Sequence, residues 1–173
     1  MPVRPDRAAS EDAAKDAALR MLGRAPRTER EIRDRLLTRG FVPNAVEGAL
    51  ERLRRVSLLD DLAFVRAYLH SEVPRRPQGM RLLAATLRKR GVPPLLLEEL
   101  DQLLREDPDL VERELDREEG RARAALAQIA RRAGSRKAVD PRTGQRMMGA
   151  LVRRGFDWGL VRDLIPSPNN VTE

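Results

Sequence analysis

One short pattern occurs three times in this chain: a leucine, two variable residues, an arginine, a glycine and a bulky apolar residue. The copies are Leu36–Phe41, Leu87–Val92 and Leu151–Phe156, and the helical periodicity stops at the glycine of each copy. Glycine most easily adopts the left-handed conformation that ends many helices. The pattern therefore predicts three helix ends of one type and, with them, a repeating fold.

The repeat extends beyond the glycine, because apolar residues recur at equivalent positions on both sides of it. They are Ile32, Leu83 and Met147 before the pattern, and Ala45, Leu96 and Leu160 after it. The alternation of apolar and polar residues that is typical of β-strands is almost absent. We predict an all-α protein of three tandem three-helix repeats in an elongated, curved array, since such units contact mainly their neighbours. The predicted segments are a mobile start at 1–10, repeats at 11–57, 58–107 and 108–166, and a mobile tail at 167–173.

Local signals predict where the helices of the first repeat begin. Ser10 is a suitable N-cap for the first helix, and Thr28–Glu31 has the form of a capping box for the second. Pro43 suits the first turn of the third helix. Asp60 and Asp61 stand at the start of the fourth, where carboxylates accept from free amides and oppose the helix dipole.

Longer helices are expected further along the chain. We predict a single sixth helix over 93–104 and a long helix from Leu110 to Arg132, in which Gly120 is the weak point. An extended loop is expected from Gly134 to Gln145, and Thr143 is the predicted cap of the next helix. Trp158 is expected in the core or between helices, since buried aromatic side chains contribute strongly to packing.

Composition narrows the classes of protein that this chain can be. Of the 173 residues, 41% are hydrophobic but only 3% are aromatic, so a core must consist mostly of aliphatic side chains from packed helices. The chain has no cysteine, which excludes disulfides and cysteine-based zinc sites. It has no long apolar run, and its first residues lack the apolar segment of a signal peptide. We expect a cytoplasmic, monomeric protein with no membrane contact.

Positive charge is concentrated in one part of the chain. The formal net charge is +7, yet residues 98–119 are strongly acidic and residues 120–155 are strongly basic. A positive net charge of this size permits a polyanionic partner. A general excess of arginine over lysine in the sequence can also produce such a charge. Basic residues collect at the ends of the predicted second helices, in one turn and in the third-repeat insertion. The candidates for contact with a partner or DNA are Arg39, Arg75, Arg76, Arg88, Lys89, Arg90, Arg131, Arg132, Arg136, Lys137, Arg153 and Arg154.

Residue patterns typical of catalysis are weak. His70 is the only histidine, and no partners for a catalytic triad can be nominated. The acidic run could supply oxygen ligands to a hard metal ion, but it lacks the spacing of an EF-hand loop and is better interpreted as a solvated helix face. No glycine-rich phosphate loop is present. We therefore predict no catalytic, cofactor-binding or metal-binding residues and no cofactor.

Two classes of binding protein remain as alternatives. A helix-turn-helix DNA-binding regulator would use two helices joined by a glycine-containing turn. However, the helices in the recognition position, over 43–51 and 93–101, are apolar and acidic, which disfavours contact with base edges and phosphates. Such a protein would therefore bind DNA weakly or independently of sequence. A scaffold that binds only protein is the other alternative, and it predicts no binding to DNA at low salt.

Two stretches resemble a known family. The segment Ser57–Tyr68, with the sequence Ser-Leu-Leu-Asp-Asp-Leu-Ala-Phe-Val-Arg-Ala-Tyr, is similar to the junction between the first two repeats in RecX proteins, the regulators of the RecA recombinase. The segment from Arg27 to Phe41 is similar to the second helix of that family. The resemblance extends over about Ala17 to Ile165 and is weakest in the third repeat, at the insertion and at Asp157–Trp158.

The resemblance implies a nine-helix, three-repeat protein without catalytic activity. Family members bind in the groove of RecA filaments on single-stranded DNA, where they block filament growth or promote disassembly. By resemblance, this chain would negatively modulate filament growth, strand exchange and coprotease function in DNA repair. Its partners would be the RecA filament and single-stranded DNA, with backbone contacts that double-stranded DNA could also make.

Overall fold

The structure is a computed structural model and describes residues 4, 7–132 and 141–165. Every regular element in these residues is a helix, which confirms the predicted all-α fold. No helix in this part of the chain is both long and apolar enough to span a membrane. The helices are α1 (Glu11–Leu22), α2 (Glu29–Thr38), α3 (Pro43–Arg55), α4 (Asp61–Arg75), α5 (Met80–Lys89), α6 (Pro94–Glu98), α7 (Leu100–Glu106), α8 (Pro108–Glu112), α9 (Glu118–Arg132), α10 (Pro141–Arg153) and α11 (Trp158–Leu164).

Side-chain caps begin α1 and α2 as the sequence predicts. The Ser10 hydroxyl accepts from the Ala13 amide at 3.2 Å. The Thr28 hydroxyl accepts from the Glu31 amide at 3.2 Å, and the Glu31 carboxylate accepts from the Thr28 amide at 3.4 Å. These reciprocal bonds complete the capping box and satisfy amides that a helix start leaves without partners.

The two aspartates before α4 have separate roles. Asp60 caps α4, because its carboxylate accepts from the Ala63 amide at 3.0 Å. Asp61 instead accepts from the amide of Glu29, the first residue of α2, at 2.9 Å. Burial raises the pKa of Asp61, and the hydrogen bond from Glu29 offsets only part of that rise. The prediction that both aspartates cap α4 is therefore wrong for Asp61, which holds α4 against α2.

The repeated pattern forms one arrangement of hydrogen bonds at the ends of α2, α5 and α10. In the first copy, the Phe41 amide donates to the Leu36 carbonyl at 3.2 Å and the Gly40 amide donates to the Leu37 carbonyl at 2.9 Å, which is a Schellman motif. The other copies make the same pair of bonds. The φ angles are +93° at Gly40, +87° at Gly91 and +83° at Gly155. The leucine and the apolar residue of every copy are buried, as the sequence predicts.

The chain divides into two compact units. The first comprises Met1–Val65 and Leu87–Leu97, and the second comprises Arg66–Thr86 and Glu98–Glu173. In the first unit, alanines of α1 pack against α3, in which Ala45, Val46, Ala49, Leu50 and Leu53 are buried. In the second unit, α9, α10 and α11 enclose a core of Ala122, Ala125, Leu151, Phe156 and Val161. The division into three repeats stays a prediction.

The predicted long helix at the start of the third repeat is two helices, α8 and α9. A further Schellman turn ends α8, since the Leu115 amide donates to the Leu110 carbonyl at 2.7 Å and Glu114 has a φ of +54°. Gly120 is not a weak point of one continuous helix. A Cβ at Gly120 would overlap the Glu114 carbonyl oxygen, so glycine allows α9 to start directly beside the turn.

Two other helix boundaries differ from the sequence predictions. The predicted sixth helix is divided into α6 and α7 at Glu99. Leu100, Leu103 and Leu104 of α7 are buried whereas α6 has no buried residue, so core packing holds only the second part. Thr143 lies inside α10 and does not cap it, because Pro141 occupies the first turn. The rest of the predicted insertion, 134–140, lies outside the described residues, as does the predicted tail at 167–173.

Candidate nucleic-acid interface

The turn between α10 and α11 lies directly on the start of α5 in the second unit. The Gly79 amide donates to the Arg154 carbonyl at 2.9 Å. A Cβ at Gly79 would overlap the Gly155 carbonyl, and a Cβ at Gly155 would lie 2.5 Å from the Leu82 backbone nitrogen. Two glycines therefore allow two backbone segments to meet, and this close approach fixes the position of Arg154.

The guanidinium of Arg154 is held in an unusual environment. Its Nη1 is buried and has no hydrogen-bond partner among the described residues. Burial lowers the pKa of Arg154, and the positive charges of Arg132 and Arg76 lower it further. A buried, unpaired donor is unfavourable, and neighbouring like charges add to that instability. The three guanidiniums therefore form a cluster that an anion would stabilise.

Residues far apart in the sequence form this arginine cluster, defined here as Arg76, Arg132 and Arg154. Arg132 is the last residue of α9, and Arg76 follows the end of α4. The Gln128 side chain donates to the Arg75 carbonyl at 3.4 Å, which holds the end of α4 against α9. Both Arg76 and Arg132 are exposed. The sequence predicts each arginine as a basic helix end, but no local signal shows that the three converge.

Arg90 in the first unit makes contacts within the protein. Its Nε and Nη2 donate to the Glu31 carboxylate at 2.8 and 3.0 Å, and its guanidinium lies 4.4 Å from the centre of the Phe64 ring. The Thr28 hydroxyl donates to the Arg90 carbonyl at 2.6 Å. Burial opposes ionisation of Glu31, but the hydrogen bond and charge of Arg90 outweigh it and lower the pKa of Glu31. Arg90 therefore joins the end of α5 to the start of α2.

The remaining predicted residues lie in several environments. Arg88 and Lys89 are exposed on the last turn of α5, and Arg39 is half-buried at the end of α2. Arg75 is exposed and ion-pairs with Glu72 at 3.5 Å. Two further arginines, Arg131 and Arg153, are exposed neighbours of cluster members in the sequence. The two predicted residues of the insertion, Arg136 and Lys137, lie outside the described residues.

The prediction that Trp158 lies in the core or between helices is wrong. Trp158 is the first residue of α11 and is 56% exposed, so it is not in the core. The core positions of this segment belong to Phe156 and Val161, which are 1% and 0% exposed. The Asp157 carboxylate accepts from the Gly159 amide at 2.7 Å and caps α11, which places Trp158 on the outside of the first turn.

The single histidine lies in an acidic depression of the second unit. His70 Nδ1 is 3.1 Å from Asp107 Oδ2, and Nε2 is 3.5 Å from Asp109 Oδ2. These residues, together with Arg66 and Glu106, line a cavity of about 350 Å³. Asp107 also caps α8 by accepting from the Asp109 and Leu110 amides. Part of the acidic run therefore serves as helix caps and ion pairs.

The described residues define an all-α protein of short helical units, in which Schellman turns end several helices and arginines meet at helix ends. A family model described as RecX, first three-helix domain, matches residues 14–53. The chain is 34% identical over 157 residues to the regulatory protein RecX of Thermobifida fusca (strain YX), a match covering 88% of this chain and 76% of that protein. It is also 34% identical over 154 residues to that of Halorhodospira halophila (strain DSM 244 / SL1), with 89% and 87% covered.

A solved structure has the same fold. The crystal structure of RecX from Lactobacillus salivarius matches with a TM-score of 0.68 at 17% identity, covering 90% of this chain and 94% of that chain. The chain belongs to the RecX family of regulatory proteins. The resemblance seen in the sequence is thereby confirmed.

Proposed function

We propose that this chain binds RecA filaments on single-stranded DNA and negatively modulates the recombinase. Filament growth, strand exchange and coprotease function are the activities that it would restrain. The observation that carries the proposal is the similarity to curated RecX regulatory proteins over most of the chain. The regulatory names of these relatives support an action by binding, without catalysis of a reaction. We propose that the protein acts as a monomer in the cytoplasm.

The arginine cluster is the part of the described surface that best fits DNA in such a complex. The charges of Arg76 and Arg132 act unfavourably on Arg154, and phosphate would supply both an opposite charge and the hydrogen-bond acceptor that Arg154 Nη1 lacks. Phosphate contacts carry no direct sequence information. The chain would therefore contact the DNA backbone alike on all sequences while the rest of its surface contacts RecA.

A helix-turn-helix type DNA-binding regulator, with weak or sequence-independent binding, is a less favoured alternative. Five apolar residues of α3 are buried, and Glu47 on its outer side ion-pairs with Arg33 at 2.8 Å. The helix that corresponds to α3 in the second predicted repeat is α6, a five-residue helix, Pro94–Glu98, with no basic residue. A recognition helix needs polar or basic side chains directed at base edges. Neither α3 nor α6 provides such a surface.

The direct test is RecA-dependent ATP hydrolysis on single-stranded DNA at low salt with substoichiometric added protein. We expect the protein to inhibit hydrolysis progressively, because a regulator of filament growth acts on many RecA subunits at once. The double substitution Arg76→Ala with Arg132→Ala should weaken this inhibition by removing two cluster charges. Arg154 is not substituted, because it lies in a packed turn and its replacement would test folding as well as binding.

A matched control separates local charge from total charge. Arg123 lies on α9 near Arg132 in the sequence, but it is exposed and ion-pairs with Glu119 at 2.6 Å. Arg123→Ala should leave inhibition unchanged. Absence of inhibition by the unmodified protein at low salt would contradict the proposed function. Equal inhibition by the double variant would contradict the role of the cluster alone.

A further inference from the structure

Trp158 leaves a large aromatic side chain exposed to solvent. It is the only tryptophan in the chain, and 56% of its surface is accessible. Large aromatic side chains usually bury their apolar surface, as Phe156 does two residues earlier in the same turn. Leaving an indole in water forgoes favourable burial. Tryptophan is enriched at binding interfaces, where its ring is covered by a partner.

The backbone that carries Trp158 is held in a defined position. Gly155 and Phe156 make the Schellman bonds that end α10, and the Asp157 carboxylate begins α11 immediately afterwards. The Gly79 amide holds the same turn through the Arg154 carbonyl. The indole is therefore attached to a turn that is fixed on both sides. Because the backbone is already ordered, less conformational entropy is lost when a partner stacks on the ring.

The charges at this turn favour nucleic acid over protein as the partner. Arg154 is four residues before Trp158 and belongs to the arginine cluster, in which the buried Nη1 has no described acceptor. Protein interfaces also use tryptophan and arginine. However, the positive charges of Arg76 and Arg132 act on Arg154 in this turn, and three like charges match a polyanion better than a mixed protein surface. Proteins that bind single strands combine a positive track with aromatic rings on which bases stack.

We propose that Trp158 is a stacking platform for an unpaired base of single-stranded DNA whose phosphates bind Arg76, Arg132 and Arg154. This inference deepens the proposed function by naming the DNA contact, and it rests on that function only for the choice of DNA as the physiological strand. Stacking tolerates any base, because every base has a π face. It requires an unpaired base, so the site would prefer single strands to duplex.

The sole tryptophan makes the test direct, because intrinsic tryptophan fluorescence reports on Trp158 alone. The full chain is titrated at low salt with an oligothymidylate and, separately, with an abasic oligonucleotide of the same length and charge. We expect the oligothymidylate to quench the fluorescence and the abasic strand to leave it unchanged. Quenching of equal size by both strands would overturn the proposal, since charge alone would then account for the signal.

Variants give a second, independent measurement by fluorescence anisotropy of a labelled oligothymidylate. Trp158→Ala should bind about 5- to 150-fold more weakly, whereas Trp158→Phe should retain most of the affinity because a phenyl ring also stacks. Val152→Ala, at a 42% exposed position on α10, is the matched control and should bind normally. Circular dichroism establishes that each variant is folded. Unchanged binding by Trp158→Ala would overturn the proposal.

The result is separable from the RecA test. Quenching by the oligothymidylate without RecA inhibition would leave the stacking site intact and contradict the proposed function. RecA inhibition without quenching would support the proposed function and contradict the stacking site. A change in Trp158 fluorescence that requires RecA and persists with abasic DNA would show a protein contact at this residue, which also overturns the stacking proposal.

Discussion

Arg121 is the largest fully buried side chain of the described residues, with 0% exposure. Its Nη1 donates to the Leu115 and Asp116 carbonyls at 3.0 and 2.8 Å, and its Nε donates to the Gln78 carbonyl at 3.2 Å. Burial lowers the pKa of Arg121, and nearby acidic groups such as Glu118 oppose this. The guanidinium thus joins the turn before α9 to the turn before α5.

Replacing Arg121 by methionine should destabilise the protein by about 2–4 kcal/mol, because carbonyls that accept from its guanidinium would lose a buried donor. Arg123→Met is the matched control. Its side chain is exposed and pairs only at the surface, so the change should be below about 0.5 kcal/mol. Urea denaturation of both variants measures the difference. Equal stability of the two would show that the Arg121 hydrogen bonds contribute little.

Helix ends are the elements that organise this fold. All the non-glycine residues with positive φ in the described part, Ser57 and Glu114, occupy the position that glycine takes in the repeated pattern. The Leu58 amide donates to the Leu53 carbonyl at 3.0 Å, as the Schellman arrangement requires. The same type of turn thus also ends α3 and α8. The repeated sequence pattern does not reveal these two turns, because neither has a glycine.

Gly155→Ala should be strongly destabilising, by more than about 2 kcal/mol. Left-handed backbone is unfavourable for alanine, and the new Cβ would also meet the backbone of Leu82. Gly149→Ala is the control within the same region, since Gly149 lies inside α10 and a Cβ there meets only the movable end of Arg153 at 3.3 Å. It should stabilise α10 by about 0.5–1 kcal/mol. Thermal unfolding of both variants measures the two stability changes. It separates the effect of a steric clash at Gly155 from the effect of helix propensity at Gly149.

At the scale of the whole molecule, the position of the charges matters more than their sum. The net charge of +7 includes many arginines that are already paired, such as Arg33, Arg52 and Arg105. The arginine cluster differs, because the charges that act on Arg154 are positive. Binding of a polyanion should therefore depend on a few residues and not on the overall pI.

The salt dependence of binding to single-stranded DNA tests this view. If Arg76 and Arg132 each contact a phosphate, the double alanine variant should flatten the slope of log K against log salt by about 1.4. The affinity should fall alike for different DNA sequences, since phosphate contacts are common to all of them. Arg123→Ala should keep the original slope. A double variant with an unchanged slope would show that the cluster is not in contact with the strand.

Much of the fold could be predicted from the sequence, because its signals are local. The capping box at Thr28, the glycine ends of three helices and the buried face of α3 each depend on residues close together in the chain. The break between α8 and α9 could not be predicted in this way. It uses Glu114 where glycine is usual, and it is held by Arg121, whose contacts include the distant residue Gln78.

The sequence by itself determined the all-helical class, the capped helix starts and the repeated helix ends, since each depends on hydrogen bonds that span a few residues. Only the tertiary structure decided what the arginines do. Arg90 and Arg121 are engaged by carboxylate or carbonyl oxygens, while Arg154 lies beside other positive charges. It likewise decided that Trp158 is exposed, because Phe156 and Val161 fill the core beside it. Such outcomes depend on which distant residues approach, and no local pattern encodes that.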